Sequence, residues 1–206
     1  MRRPAKLAVT QLSPVVLSVG HSTRPIEDFL RLLDEHEVTC VADVRTIPRS
    51  RHNPQFNADS LPAVLKTAGI DYRHFPGLGG LRHTNANSPN KGWRNASFRG
   101  YADYMQTPAF EEALAELMRH AKGQRLALMC AEAVPWRCHR SLIADALLVR
   151  GVRVEHIMSP TSRQAHTLTP FAKVQGLHLS YPPGERTGSE EELSGIASGP
   201  GRRTNA

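Results

Sequence analysis

The segment C-A-E-A-V-P-W-R-C-H-R, Cys130 to Arg140, brings two thiols, a carboxylate, an imidazole and two guanidiniums close together in a 206-residue sequence. The thiolate form of cysteine is both nucleophile and metal ligand, and nearby cations or a helix N-terminus favour it. Three chemistries stand side by side here. Cys130 can be a nucleophile, activated if Arg137, His139 or Arg140 lies within ~4–6 Å and inert if Glu132 is its neighbour in an apolar pocket. Cys130, Cys138 and His139 can bind zinc, with His21, His74 or Glu132 as a fourth ligand. Their spacing matches no common zinc ribbon or finger, so neither a metal nor another cofactor is expected. Or the two cysteines are small core residues beside a satisfied polar cluster. Cys40, alternating with Val38 and Ala42 along a strand, reads as packing.

Tyrosine phosphatases and rhodaneses share the layout of strand, cysteine, loop, arginine and helix. In this chain residues 131–136 separate Cys130 from Arg137, none of them is glycine, and Pro135 removes a backbone donor. The tight anion-cradling loop of those enzymes is therefore not written here. A second cluster, D-V-R-T-I-P-R-S from Asp43 to Ser50, offers Asp43 as an acid, a base or an anchor for Arg45 or Arg140. Arg45, Arg49 and Arg51 form either a phosphate-binding rim or a solvated face. The candidate catalytic residues are Asp43, Cys130, Glu132 and His21. The candidate substrate-binding residues are Ser22, Arg45, Arg137, Cys138, His139 and Arg140, joined by Trp93 and Arg94 from a long basic segment.

These side chains need a frame that gathers them. Short apolar runs at Pro14–Val19, Val38–Val44, Ile70–His74, Arg125–Cys130 and Val152–Ile157 read as strands. Helical patterns run from Pro25, over Asn57–Ala68, over Pro108–Lys122 and over His139–Arg150, with Ser22 or Thr23 capping the first and Thr107 the third. Such alternation predicts an α/β fold, a three-layer α/β/α sandwich with a mostly parallel sheet of about five strands. Ligands of such sheets sit beyond the carboxyl ends of the strands. His21, Asp43, His74 and Cys130 each follow or end a strand, so they should converge on one edge. His21, Asp43 and Cys130 should lie within ~15 Å of one another, the scale of a shared substrate.

Pro76 to Gly100 interrupts the alternation with a Gly-, Asn- and Pro-rich stretch. Arg82, His83, Lys91, Arg94 and Arg99 interleave there with Trp93 and Phe98, and Tyr101 follows. That pattern suits single-stranded nucleic acid or a nucleotide, unless the rings only pin the loop. Gly77–Gly80 does not lead from a strand into a helix in the dinucleotide pattern, so NAD is not inferred. Residues 1–13 and 182–206 are expected to be a disordered arm and tail around a single α/β domain over 14–181. No internal repeat is present.

The formal net charge of +7 favours anionic partners. It does not come from the tails: Val44–Gly100 holds nine Lys and Arg against two acids, Asp59 and Asp71, a local excess of +7. No apolar run approaches the ~20 residues of a membrane span, and the N-terminus lacks the apolar core of a secretory signal. Three cysteines make no disulfide framework. A cytoplasmic location follows as the expectation, and the sequence leaves the oligomeric state open.

Taken together, S-V-G-H-S-T, D-V-R-T-I-P-R-S, L-G-G…W…F-R-G-Y-A-D-Y-M and C-A-E…C-H-R resemble the domain of unknown function 488 family over roughly Val15 to Ser159. The resemblance implies an α/β domain with a polar site at the Gly-His-Ser, Asp-Val-Arg and Cys-x-Glu…Cys-His-Arg positions. It supplies no substrate. The leading expectation from the residues is a small enzyme acting on an anionic, phosphate-bearing substrate, a nucleic acid or nucleotide. Arg45, Arg137 and Arg140 would hold the anion, Asp43, Glu132 or His21 would move protons, and Cys130 would be nucleophile or ligand. The alternatives are a non-catalytic nucleic-acid-binding module and a regulatory or stress-related interaction protein.

Overall fold

The runs that are apolar on both faces become the central strands of a sheet covered on both sides. The computed structural model describes residues 15–184. The arm over 1–13, Pro14 and residues 185–206 of the tail lie outside the described residues. The elements in chain order are β1 (Val15–Gly20), α1 (Ile26–Glu35), β2 (Cys40–Asp43), α2 (Leu61–Thr67), β3 (Asp71–His74), α3 (Ala96–Tyr104), α4 (Pro108–His120), β4 (Leu126–Cys130), α5 (Arg140–Leu148), β5 (Arg153–Ser159), β6 (Ser162–Ala165), β7 (Lys173–Gln175) and β8 (His178–Ser180). Six strands form one sheet in the order β3-β2-β4-β1-β5-β6. The first five are parallel and β6 runs antiparallel at the edge. This is the α/β architecture that the alternation predicts, with one more strand.

Alternate residues serve two cores. Leu17, Val19, Val41, Ala127 and Met129 pack with Phe29, Leu33, Leu61 and Leu65 on the α1–α2 side. Val16, Ala42, Leu126, Leu128 and Val154 pack with Tyr101, Leu114, Leu117, Leu142 and Ile143 on the α3–α5 side. Each fully buried Leu or Phe contributes about 1.5–3 kcal/mol relative to exposure. The period-2 strand pattern therefore fixes which strand residues face which helix layer.

Several local readings change. Neither Ser22 nor Thr23 caps α1. Its N-cap is Pro25, with no side-chain cap. Ser22 donates its N–H to the Ala131 carbonyl (2.9 Å), which continues the β1–β4 pairing and holds Ser22 at φ 53°. The second helix starts at Leu61 rather than Asn57, with Pro62 in its first turn. Thr107 does cap α4, accepting from the Phe110 N–H. The long basic segment leads into α3, capped by Asn95, whose side chain accepts from the Ser97 N–H (2.8 Å). Its signal was present: Phe98, Tyr101, Ala102 and Met105 follow the i, i+3, i+4, i+7 stripe of an amphipathic helix.

Topology opens a crevice. From β2 the chain moves outward to β3, whereas from β4 it crosses to β5 on the far side of β1. Connections that diverge from adjacent strands leave a gap at their carboxyl ends. The loops beginning at Asp43 and Cys130 border it.

Candidate active site

A cleft of about 710 Å³ occupies this gap. Its walls include His21, Arg45, Cys130, Glu132, Cys138 and His139, and Arg49 and Arg137 line it as exposed side chains. Gly20 permits the close crossing of the strand ends: a Cβ there would overlap the Glu132 carbonyl. Just beyond it, the His21 N–H donates to the Cys130 carbonyl (2.9 Å). His21, Asp43 and Cys130 thus share one neighbourhood, with Arg45 linking the first two.

Cys138 stands immediately before His139, the N-cap of α5. Its Sγ accepts a hydrogen bond from Arg140 Nε (3.4 Å) and lies 3.7 Å from His139 Nδ1. His139 Nε2 lies 3.0 Å from the Val44 carbonyl, which can only accept, so Nε2 carries a proton. In the neutral ring, Nδ1 is therefore the basic nitrogen and faces the sulfur. Arg140, only 1% exposed, is fixed below by donating to Ser18 Oγ (3.0 Å) and the Glu132 carbonyl (2.5 Å).

The two thiols are pushed in opposite directions. The neighbouring Cys138 sulfur and burial push the Cys130 thiol well above its usual range. The Cys130 thiol, His139 and Arg140, working against burial, hold Cys138 well below it. Of the two sulfurs, Cys138 is the one whose surroundings favour the thiolate. Cys40 is remote from this chemistry, and burial pushes its thiol up to about 11. The sulfurs of Cys130 and Cys138 and a ring nitrogen of His139 lie within 4.8 Å of one another, a spacing that a metal ion could also use. Arg140 sets a guanidinium against the Cys138 sulfur, a charge that disfavours a cation and favours a thiolate.

A second polar group lies across the cleft. Asp43 is fully buried. Its Oδ1 accepts from Arg45 Nε (2.8 Å) and from the Arg45 backbone N–H (3.1 Å), and its Oδ2 accepts from Arg45 Nη2 (2.5 Å) and Tyr72 Oη (2.8 Å). Arg45 Nη2 also donates to the Phe56 carbonyl (2.7 Å), and Nη1 lies 3.3 Å from His21 Nε2. His21 donates from Nδ1 to the Ser22 carbonyl (2.7 Å), so Nε2 is free to accept from Arg45. Burial lowers the His21 pKa to about 4, and its ring stacks on Phe56 at 4.1 Å. His21 is thus a neutral acceptor near pH 7, and Asp43 is a saturated anchor for Arg45.

The remaining candidates fall at different depths. Ser22 lines the cleft. Glu132 also lines it, and its Oε1 accepts from the Val134 N–H (3.3 Å). Arg140, expected to hold an anion, lies beneath the floor. Trp93 and Arg94 do not line this cleft. Trp93 packs against Phe98 (4.7 Å) and Phe171 (4.9 Å), and Arg94 is exposed. Much of the cation-and-ring pattern of the long segment is used internally: Arg82 covers the Tyr104 ring at 3.5 Å, and Arg99 donates to the Trp93 carbonyl. Gly80 has a role that no dinucleotide motif explains, because a Cβ there would lie 2.5 Å from His139 Nδ1.

A further buried network was not anticipated. Asp145 accepts from Thr169 Oγ1 (2.7 Å) and Tyr181 Oη (2.9 Å), and His166 Nε2 lies 2.8 Å from it. His166 Nδ1 in turn meets His156 Nε2 (3.1 Å), and burial lowers the His156 pKa to about 4. An Asp inside the apolar helix at 140–148 was the available signal, since a buried carboxylate needs partners.

Fold and site together define an α/β protein with a Cys–His–Arg cluster at the carboxyl edge of a mostly parallel sheet. The chain belongs to the family described as Domain of unknown function DUF488, whose match covers residues 25–147 and takes in Asp43, Arg45 and the whole Cys130–Arg140 segment. No curated protein and no solved structure matches the chain. Among the described residues, no helix is long and apolar enough to cross a membrane.

Proposed function

We propose that this protein is an enzyme that uses the Cys138 thiolate against an anionic, phosphate-bearing substrate, a nucleotide or a nucleic-acid end. One observation carries the reading: on the wall of the cleft, Cys138 Sγ receives Arg140 Nε–H and faces His139 Nδ1, while the Val44 carbonyl fixes the far side of the ring. A nucleophile, a base and an orienting third group is the arrangement that activates cysteine. His139 Nδ1 takes the thiol proton and keeps it available for a leaving group, and Cys138 Sγ attacks the electrophilic centre.

The substrate class rests on the cleft lining. Arg49 and Arg137 make no side-chain hydrogen bond or ion pair among the described residues. Arg45 has one of its five N–H groups uncommitted there, its other four being directed to Asp43, Phe56 and His21. Ile47 and Leu81, 65% and 72% exposed, add apolar surface to the same cleft and suit a ring carried by the anion. Asp43 and Arg140 act as positioning residues.

Iodoacetamide labelling at pH 7 tests the reading. Cys138 should label far ahead of Cys40 and Cys130, a nucleoside monophosphate or inorganic phosphate should protect it, and Arg49→Ala with Arg137→Ala should remove the protection. Equal, slow labelling of all three cysteines would overturn it. Salt-sensitive polyanion binding without protection of Cys138 would instead favour a non-catalytic binding module.

A further inference from the structure

The thiolate reading leaves Cys130 without a task in attack on a phosphate-bearing substrate. Its sulfur nonetheless lies within 4.8 Å of the Cys138 sulfur, and both residues line the same cleft. A second thiol at that position is what a sulfenic acid needs for resolution to a disulfide.

We propose that Cys138 and Cys130 form a peroxide-reactive dithiol, in which Cys138 reduces a small hydroperoxide and Cys130 resolves the product as an intramolecular disulfide. The proposal rests on the reading of Cys138 as the reactive thiolate. In the first step Cys138 Sγ attacks the terminal oxygen of ROOH. The O–O bond breaks, Cys138 becomes S–OH, and the alkoxide leaves as ROH with a proton from the site. In the second step Cys130 sulfur attacks the Cys138 sulfur. The S–O bond breaks, the S–S bond forms, and hydroxide leaves as water with the Cys130 proton. The sulfurs are oxidised by two electrons and the peroxide is reduced by two, so no further reactant is needed.

The geometry supports both steps. The Cys130 and Cys138 sulfurs are within 4.8 Å of each other. Disulfide formation brings them to about 2.05 Å, and Cys138 stands in the connection between β4 and α5 rather than inside either element. Arg140 Nε–H and His139 stabilise the thiolate before attack, and His139 can supply the proton to the departing alkoxide. Cys138 and Cys130 are 4% and 8% exposed at the cleft, so a molecule as small as hydrogen peroxide reaches them more readily than a bulky oxidant does. Cys40 lies in the sheet away from the cleft lining and serves as an internal control. Oxidation would also take the sulfur away from Arg140 and His139, so the disulfide would switch off the nucleophile of the proposed enzyme until a dithiol restored it.

The test treats the full-length reduced protein with one equivalent of hydrogen peroxide, followed by peptide mapping without reduction. The expected result is a Cys130–Cys138 cross-linked peptide with Cys40 still free, reversed by dithiothreitol with return of rapid Cys138 alkylation. In Cys130→Ser the sulfenic acid at Cys138 should persist and be trapped by dimedone. Absence of the cross-link while Cys138 still alkylates rapidly would overturn this inference and leave the nucleophile reading standing. Slow alkylation of Cys138 in the untreated protein would remove both. The wild-type mapping needs no substitution, so a Cys130→Ser variant that fails to fold does not blur the outcome.

Discussion

The two sides of the cleft are polar in different ways. On the β2 side, Asp43 and Arg45 are both buried and nearly saturated: each Asp43 oxygen accepts two hydrogen bonds, and four of the five Arg45 N–H groups are directed to partners. On the β4 side, Cys138 Sγ accepts from the buried Arg140 Nε (3.4 Å) and faces His139 Nδ1 (3.7 Å), neighbours that favour negative charge on a sulfur at the cleft wall. The first cluster resembles a clamp, the second a reagent. A buried ion pair whose hydrogen bonds are complete has little to gain from a substrate, whereas a stabilised thiolate facing open space does.

The contrast can be broken at several points. The largest effect is expected in reactivity. At pH 7 a thiol pushed up to about 11, as Cys40 is, has only ~10⁻⁴ of its population ionised. Cys138 should therefore outpace Cys40 with iodoacetamide by ~10³-fold or more, and Cys138→Ser should abolish the fast phase without lowering the urea midpoint appreciably. If Cys138→Ser unfolds the protein, the β4 side is scaffold and the contrast is lost.

The opposite behaviour is expected across the cleft. Asp43→Ala leaves the Arg45 guanidinium buried without its carboxylate, a change that costs about 3–5 kcal/mol. Urea unfolding should show that loss. A cost under ~1 kcal/mol would mean that water replaces the carboxylate, and that the clamp is not one.

Acid should destabilise through the imidazoles. His21 and His156 have folded pKa values lowered to about 4, below the unfolded 6.5. Their contribution is complete above pH 6.5, where both are neutral in either state, and is lost as pH falls toward 4, because the unfolded chain binds the proton first. Between pH 7 and pH 5 each should remove about 2 kcal/mol of stability. His156→Gln should flatten part of that slope in urea titrations at the two pH values. An unchanged slope would place the titration elsewhere.

Two smaller changes sharpen the picture. Gly80→Ala drives a methyl into the His139 ring and should cost about 1–3 kcal/mol by overpacking. Its informative readout is the pH profile of Cys138 alkylation, which should move toward that of an ordinary thiol as the ring is displaced. Tyr72→Phe removes one donor from Asp43 and should cost only about 1 kcal/mol, with Cys138 labelling unaffected. A change in labelling there would show that the two sides of the cleft are coupled.

Much of the frame was legible in the residues because it depends on local pattern. Apolar runs at Val15–Gly20, Cys40–Asp43 and Leu126–Cys130 suit strands buried on both faces, and their alternation with helical stripes leads to a parallel sheet with polar groups at its carboxyl edge. The placement of His21, Asp43 and Cys130 near one another follows from that alone. The α3 stripe was equally local, but only Phe98 of it falls in the Gly- and Asn-rich stretch, whose composition masked the start of the helix. The edge strand β6 and the short β7–β8 pair had no such signal, because strands of three or four residues do not alternate long enough to be read.

What tertiary structure alone decided is the division of labour within the site. Sequence order made Cys130, at the strand end, the natural nucleophile. The groups that favour Cys138 in the proposed reading are held from far along the chain: the Val44 carbonyl that orients His139 is 95 residues away, and the Ser18 hydroxyl that seats Arg140 is 122 residues away. The same distance in sequence hid the saturation of Asp43 by Tyr72 and the burial of Arg140 under the cleft. A residue type and its spacing fix which charges and lone pairs a chain possesses. Whether a proton rests on one sulfur or its neighbour is set by donors a few ångströms away, and those are assembled only when β1, β2 and β4 are side by side.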